Sequence, residues 1–331
     1  MATATKPTIV PTAKPKIITP EITPLHEIGT NTLLTGFVGH GKSTSIATFI
    51  KAGLIHDIEL KVVAVTTETG GIESLLDGMR IHAMPGEKSL PMDRLFYRHI
   101  PPVSEGWSAI KEMAKQINRM SYKDLTEVKG GLGKRSQTQF LDLVSLLSNF
   151  KDQYGTVLGP IDKLDNTWLF VLDSVSGLNR MSRRLTVGLK PAPHKGEWGT
   201  MMSAEEELVM QILSDTKCFT CLTSHIDREV DDVIGKPQFV PCFLGSKLGP
   251  VIPKEFSDVI LQVRDGDKFR WNTIEKDHSC LKARNLPLSD KLPPSFELIV
   301  STWLKRKAMV ESGQMSPAEY KSLQEDDVKS T

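Results

Sequence analysis

The chain has 331 residues, of which 41 are basic and 40 acidic, for a net charge of +1. A charged fraction of 24% beside 39% hydrophobic residues excludes a disordered polyelectrolyte, a histone-like DNA coat and an acidic decoy. The length suits two domains of about 150 residues each or one large α/β domain with decorated loops. With no apolar run of about 18 residues and no apolar leader block, a cytoplasmic protein without a membrane partner is expected.

Residues 1–27 carry prolines at 7, 11, 15, 20 and 24 and read as a flexible arm, since proline removes backbone donors and nothing periodic is there to bury. The main domain is expected over 28–305, with a helical insertion at about 100–152 and a tail over 306–331. Asn31–Thr35 (NTLLT) is a short apolar run leading into a glycine-rich turn, and Ser43–Leu54 places Ile46, Phe49 and Ile50 at helical spacing. Lys61–Thr66 (KVVAVT), continuous and β-branched, predicts a strand covered on both faces. Gly106–Met120 aligns Trp107, Ile110, Met113, Ile117 and Met120 on one stripe, predicting a core-facing helix. Lys129–Arg135 (KGGLGKR) breaks the pattern.

Phe140–Phe150 is a second amphipathic helix, with Leu143, Val144, Leu147 and Phe150. Trp168–Leu172 (WLFVL) is the most hydrophobic short strand, Met201–Leu213 is helical, and Cys218–Thr223 is another buried strand. Cys218 and Cys221 have C-x-x-C spacing, but positions i and i+3 of a strand face opposite ways, so they read as small core residues. With Cys242 and Cys280 they are too few and irregular for a disulfide framework. Val259–Val263 and Phe269–Ile274 are late strands joined by a turn at Asp265–Asp267. Ser316-Pro317-Ala318-Glu319 is a capping box opening a short tail helix. Strands alternating with helices predict an α/β fold, a largely parallel twisted sheet with helices on both faces.

Gly36-Phe37-Val38-Gly39-His40-Gly41-Lys42-Ser43 matches G-x-x-x-x-G-K-[ST]. Chance gives this in roughly one chain per hundred, and the strand before and helix after it remove most of that risk. Glycines let successive N–H groups turn inward around phosphate oxygens, and the following helix adds its positive end. Residues 36–43, with Thr44, are the candidate nucleotide cradle: Lys42 for the terminal phosphates, Ser43 for Mg²⁺. Asp173, closing the strand at 168–172, is the candidate carboxylate for the metal's water shell, or else a turn or cap before Ser174 and Ser176. Glu68 comes just after the strand at 61–66 and opens toward the sheet edge where such folds place ligands. It is the candidate for orienting water, although alone it would read as a solvated loop residue.

The order of phosphate loop, strand–Glu68–Gly, and Val171-Leu172-Asp173-Ser174-Val175-Ser176-Gly177-Leu178 resembles the RecA ATPase core, most like phage-encoded RecA-type ATPases of single-strand annealing and recombination. The likeness covers about 30–287. It implies an ATP- and Mg²⁺-dependent ATPase, assembled as a ring or filament with shared sites, that acts on single-stranded DNA, with a single-strand-binding or replication protein as a further partner. In Leu222-Thr223-Ser224-His225 it implies a γ-phosphate sensor at His225, where RecA has an amide; a satisfied strand-end histidine is the alternative. Phe243–Leu248 resembles the segment after the second DNA loop.

Lys282-Ala283-Arg284-Asn285 resembles the Lys-x-Arg finger of KaiC- and DnaB-like relatives, implying that Lys282 and Arg284 reach a neighbouring subunit's γ-phosphate; the alternative is a solvated basic strand end. Leu178–Gly196 holds Arg180, Arg183, Arg184, Lys190, His194 and Lys195 without an acid, and Trp198 comes next. That pattern offers charge for phosphates and a flat face for bases, and the resemblance makes it the first DNA loop; otherwise it is a solvated helix face and a loop. Asp227–Pro241 corresponds to the second, though it carries Asp227, Glu229, Asp231 and Asp232. A KaiC-like switch that gates a protein partner without DNA is the alternative function. A small-molecule kinase shares the phosphate loop but explains neither Glu68 nor the Lys-x-Arg pair.

Overall fold

Strands that are apolar on both faces can be buried only inside a sheet flanked by helices. The computed structural model, which describes residues 28–101, 106–121, 124, 137–188, 193–230, 235, 237–278 and 280–316, has that form. Its strands are β1 (Asn31–Thr35), β2 (Lys61–Thr66), β3 (Leu95–His99), β4 (Phe150–Lys151), β5 (Val157–Gly159), β6 (Trp168–Asp173), β7 (Phe219–Ser224), β8 (Ile226–Val230), β9 (Pro237–Pro241), β10 (Asp258–Asp265), β11 (Lys268–Asn272) and β12 (Lys282–Ala283). The main sheet runs β11-β10-β1-β7-β6-β2-β3, parallel from β10 to β3. Both β11 and β12 pair antiparallel with β10 at one edge, so the sheet is mixed but mostly parallel. β8 and β9 form a separate antiparallel hairpin.

The helices are α1 (Lys42–Ile46), α2 (Thr48–His56), α3 (Gly71–Ile81), α4 (Gly106–Arg119), α5 (Gln139–Ser148), α6 (Val175–Val187), α7 (Lys195–Asp215), α8 (Gly245–Val251) and α9 (Glu297–Glu311). Alternation along each strand divides the core in two. Leu34, Val62, Val171 and Cys221 join Phe49, Met79, Ile299 and Trp303 on one face. Leu33, Val63, Phe170 and Cys218 join Leu143, Leu178, Met181 and Val209 on the other. Cys218 and Cys221 thus lie on opposite faces, as strand geometry requires. Each large apolar side chain so buried contributes about 1.5–3 kcal/mol.

Several boundaries differ from the sequence reading. The helix expected over 43–54 has a break at Ala47, because Ser45 Oγ donates to the Lys42 carbonyl (2.7 Å) and Thr48 Oγ1 to that of Ser45 (2.5 Å). Thr48 Oγ1 also accepts the Phe296 N–H (2.9 Å) just before α9. That helix crosses the expected 305/306 boundary and is part of the core through Ile299, Val300 and Trp303.

The stripe on α4 is not core: Trp107 is 86% exposed and Ile110 47%. α5, by contrast, anchors the second half of the expected insertion through Leu143 and Leu147, whereas Val144 is exposed. The arm at 1–27, Lys129–Arg135 and the tail helix after Ser316 lie outside the described residues.

Candidate functional site

The parallel register brings four strand ends to one edge of the sheet. Thr35 of β1 pairs with Ser224 of β7, and Thr66 of β2 with Asp173 of β6. The loop leaving β1 is therefore set beside His225, and the turn leaving β2 beside Asp173. The turn after β1 bends back where the Gly36 N–H donates to the Ser224 carbonyl at 3.2 Å. Gly41 has φ 81°, and a Cβ there would sit 3.0 Å from Gln262 Nε2 and 3.2 Å from Phe269 Cδ1, so only glycine fits without strain. Thr44 Oγ1 donates to the Gly41 carbonyl at 2.7 Å.

Lys42 is buried where the loop closes. Its Nζ donates to the carbonyls of Gly36 (2.7 Å) and Phe37 (3.0 Å) and lies 3.3 Å from His225 Nδ1. Burial pulls its ammonium down to about 8, against the pull of Asp173 and Glu68. Ser43 Oγ donates to Asp173 Oδ2 at 2.6 Å, and Thr223 Oγ1 donates to Asp173 Oδ1. Burial pushes the Asp173 carboxyl above its ordinary range, a shift that those two donors oppose. A divalent cation would reverse that balance.

Glu68 is reached through the turn after β2. Thr67 Oγ1 accepts from the Ser174 N–H (3.0 Å) and donates to the Ser174 carbonyl (2.9 Å), tying the two strand ends together. Gly177 permits this approach, since a Cβ there would fall 2.0 Å from Thr67 Oγ1. Ser174 Oγ donates to Glu68 Oε1, and His225 Nε2 lies 3.2 Å from both carboxylate oxygens. The hydrogen bond from His225, then that from Ser174 and the charge of Lys42, hold Glu68 down at about 2. A histidine protonated on Nε2 satisfies both contacts, accepting from Lys42 and donating to Glu68.

These groups line a cavity of about 310 Å³ with Gly39, His40, Gly41, Thr44, Gly70, Ser74 and Phe269. No family model and no curated protein matches the chain. The site is therefore defined by its geometry. Among the described residues no group of three or more His, Cys, Asp or Glu forms a metal cage. Magnesium held by phosphate oxygens and water needs only one or two protein ligands, and the adjacent Ser43 hydroxyl and Asp173 carboxylate fit that role.

Lys42, Ser43, Asp173, Glu68 and His225 are thus brought together. Lys282 and Arg284 are not among them. β12 pairs with Asp258 and Val259 at the start of β10, the opposite end of the sheet from the glycine-rich loop at 36–43. Lys282 Nζ donates to the Lys254 carbonyl (3.2 Å), and the Arg284 N–H donates to Asp258 Oδ1 (2.8 Å), with Nε and Nη2 of Arg284 shielded from solvent. Arg284 also lies outside the two-residue strand, so the shared strand face expected for the pair does not extend to it.

Arg180, Arg183 and Arg184 lie on α6, whose first turn comes directly after Asp173, at spacings that align them on one helix face. Lys195 and Trp198, expected in an irregular loop, open α7 instead, because His194 and Glu197 form a capping box there. Trp198 is 39% exposed, and Lys190 lies outside the described residues. Asp227 and Glu229 are exposed on β8.

Gln262 escaped the sequence reading. Fully buried in β10, its Nε2 donates to the His40 carbonyl (2.8 Å) while its main-chain carbonyl lies 3.0 Å from His40 Nδ1. Its Oε1 accepts from Trp271 Nε1 (3.1 Å) and Ser45 Oγ (3.2 Å). A glutamine inside the apolar run Val259–Val263 was the available signal, since a buried amide must find partners. His278, buried behind β1 and pushed down to about 4 by burial, contacts Thr35 Oγ1 at 3.2 Å and was likewise missed.

Proposed function

We propose that this chain is a RecA-type ATPase that binds MgATP at residues 36–44 and uses its hydrolysis in work on single-stranded DNA. The observation that carries the reading is the convergence of Lys42, Ser43, Asp173, Glu68 and His225, from four separate strand ends, on one cavity. Lys42 and the loop N–H groups would hold phosphate oxygens. Bound magnesium would supply charge neutralisation on them, through Ser43 and the water shell of Asp173.

A carboxylate held at about 2 is a weak proton acceptor. Glu68 therefore acts by accepting hydrogen bonds from the attacking water and aligning it. As water bonds to the γ-phosphorus the bridging P–O bond breaks, leaving ADP and a phosphate that keeps the water's protons and later releases one to solvent. His225, in contact with both Lys42 and Glu68, is where a change at the γ-phosphate can be felt. Lys282 and Arg284 are remote from their own subunit's cavity. Their use at a neighbouring subunit's site in a ring or filament would require Lys282 to leave the Lys254 carbonyl and the shielded Arg284 guanidinium to become exposed.

The DNA surface proposed is the arginine face of α6 with the opening turn of α7. Replacing Arg180, Arg183 and Arg184 together should lower single-strand affinity and flatten its salt dependence, because fewer counterions are released. Unchanged affinity and slope would refute this surface. The exposed Asp227 and Glu229 on β8 favour the second reading, a nucleotide switch acting on a protein. ATP turnover indifferent to single-stranded DNA would select it.

A further inference from the structure

The two ends of the cavity differ chemically. Glu68, Asp173 and His225 lie at the ends of β2, β6 and β7, on one side of the phosphate-loop strand β1. On the other side stand β10 and β11, and from β11 the half-buried ring of Phe269 enters the cavity wall. Its Cδ1 lies 3.2 Å from where a Gly41 Cβ would be, a point also 3.1 Å from Thr44 Oγ1. In a phosphate loop the lysine reaches the β- and γ-phosphates while the backbone cradles the α and β. A triphosphate with its γ end toward Glu68 and His225 therefore directs its sugar and base toward Phe269.

We infer that Phe269 is the platform on which the nucleobase stacks, making this end of the cavity a site for the base of a nucleoside triphosphate. The inference rests on reading residues 36–44 as a phosphate site. The ring is pre-positioned: Phe269 pairs across the hairpin with Arg264, whose guanidinium carbon lies over one ring face, 5.9 Å from the centroid, so a base would stack on the opposite face. The Arg264 Nε in turn donates to the Gly266 carbonyl of the hairpin turn at 2.9 Å. A ring held by its neighbours loses little freedom when a base covers it. Stacking uses the π-face that every base has, and purines, with more ring area, gain more from it than pyrimidines.

The test separates base from phosphate. Affinity of the full chain for a magnesium complex of a non-hydrolysable ATP analogue is compared with that for magnesium tripolyphosphate, which has no base. Phe269→Ala should weaken the analogue about tenfold and leave tripolyphosphate within about twofold, and Phe269→Trp should keep analogue affinity at or above wild type. Phe269→Leu, which retains bulk, should resemble Phe269→Ala, guarding against a folding effect. Equal weakening of both ligands would make Phe269 a support of the loop and overturn the inference, as would no change in either. Wild-type protein that binds neither ligand would overturn the phosphate site itself, a pattern distinct from those two.

Discussion

Replacing Gln262 by leucine tests whether the glycine-rich loop at 36–43 is held from behind by β10. The substitution removes the donor to the His40 carbonyl and the acceptor for Trp271 Nε1 and Ser45 Oγ. Ser45 keeps its bond to the Lys42 carbonyl at 2.7 Å, so it is not orphaned. The Trp271 N–H is, because its side chain is fully buried. An orphaned buried donor costs about 1–3 kcal/mol, and the lost bond to His40 about 1 kcal/mol more. The expected loss is therefore about 2–4 kcal/mol, a fall in Tm of roughly 3–7 °C for a chain of this length. Thermal unfolding followed by circular dichroism measures it.

A cycle with Trp271→Phe isolates the contact, because the double variant has no orphan. Its loss should be smaller than the sum of the single losses by about 1 kcal/mol or more. Gln262→Leu should also weaken binding of tripolyphosphate, since the His40 peptide is no longer tethered. A loss below about 0.5 kcal/mol, with strictly additive effects and unchanged affinity, would refute the clamp.

Two further outcomes are expected. Glu205 is buried on α7, accepts the Leu244 N–H at 3.1 Å and is pushed up to about 8 by burial. The folded state thus holds a proton that the unfolded chain has released, and the stability this contributes is full below the ordinary carboxylate range and lost as pH rises through about 8. Glu205→Gln should remove that loss, giving a higher Tm than wild type at pH 8 but little gain at pH 4; an unchanged pH profile of Tm would contradict it. Asp173→Asn relieves a buried carboxylate, so its Tm should equal or exceed that of wild type while magnesium-dependent phosphate release falls by about a hundredfold or more. Retained turnover would remove Asp173 from the metal's shell.

The features legible in the sequence were those whose signal is local. Lys61–Thr66 is a strand with the predicted limits because a β-branched run carries its own preference. The glycine-rich loop at 36–43 is visible because its glycines answer to backbone geometry a few residues away. α9 was missed because Glu297–Glu311 is only weakly segregated into apolar and polar faces, and Trp303 owes its burial to Phe219, distant in sequence. The stripe on α4 misled for the converse reason: amphipathicity says that a face can be buried, not that something covers it. Gln262 and Phe269 acquire meaning only when β10 and β11 are set beside the loop after β1, which is information held in strand order. Likewise Glu68 and His225 meet only because β2 and β7 flank β6.

In the proposed function Glu68 acts upon water at an ATP γ-phosphate. Phosphate release by wild type and Glu68→Gln, with and without single-stranded DNA, alongside ATP binding by both, tests it directly. The expectation is magnesium-dependent release that DNA accelerates in wild type, and a fall of about a hundredfold or more in Glu68→Gln with ATP affinity within a few-fold. Equal turnover in the two proteins, or no turnover in wild type under any of these conditions, would contradict it.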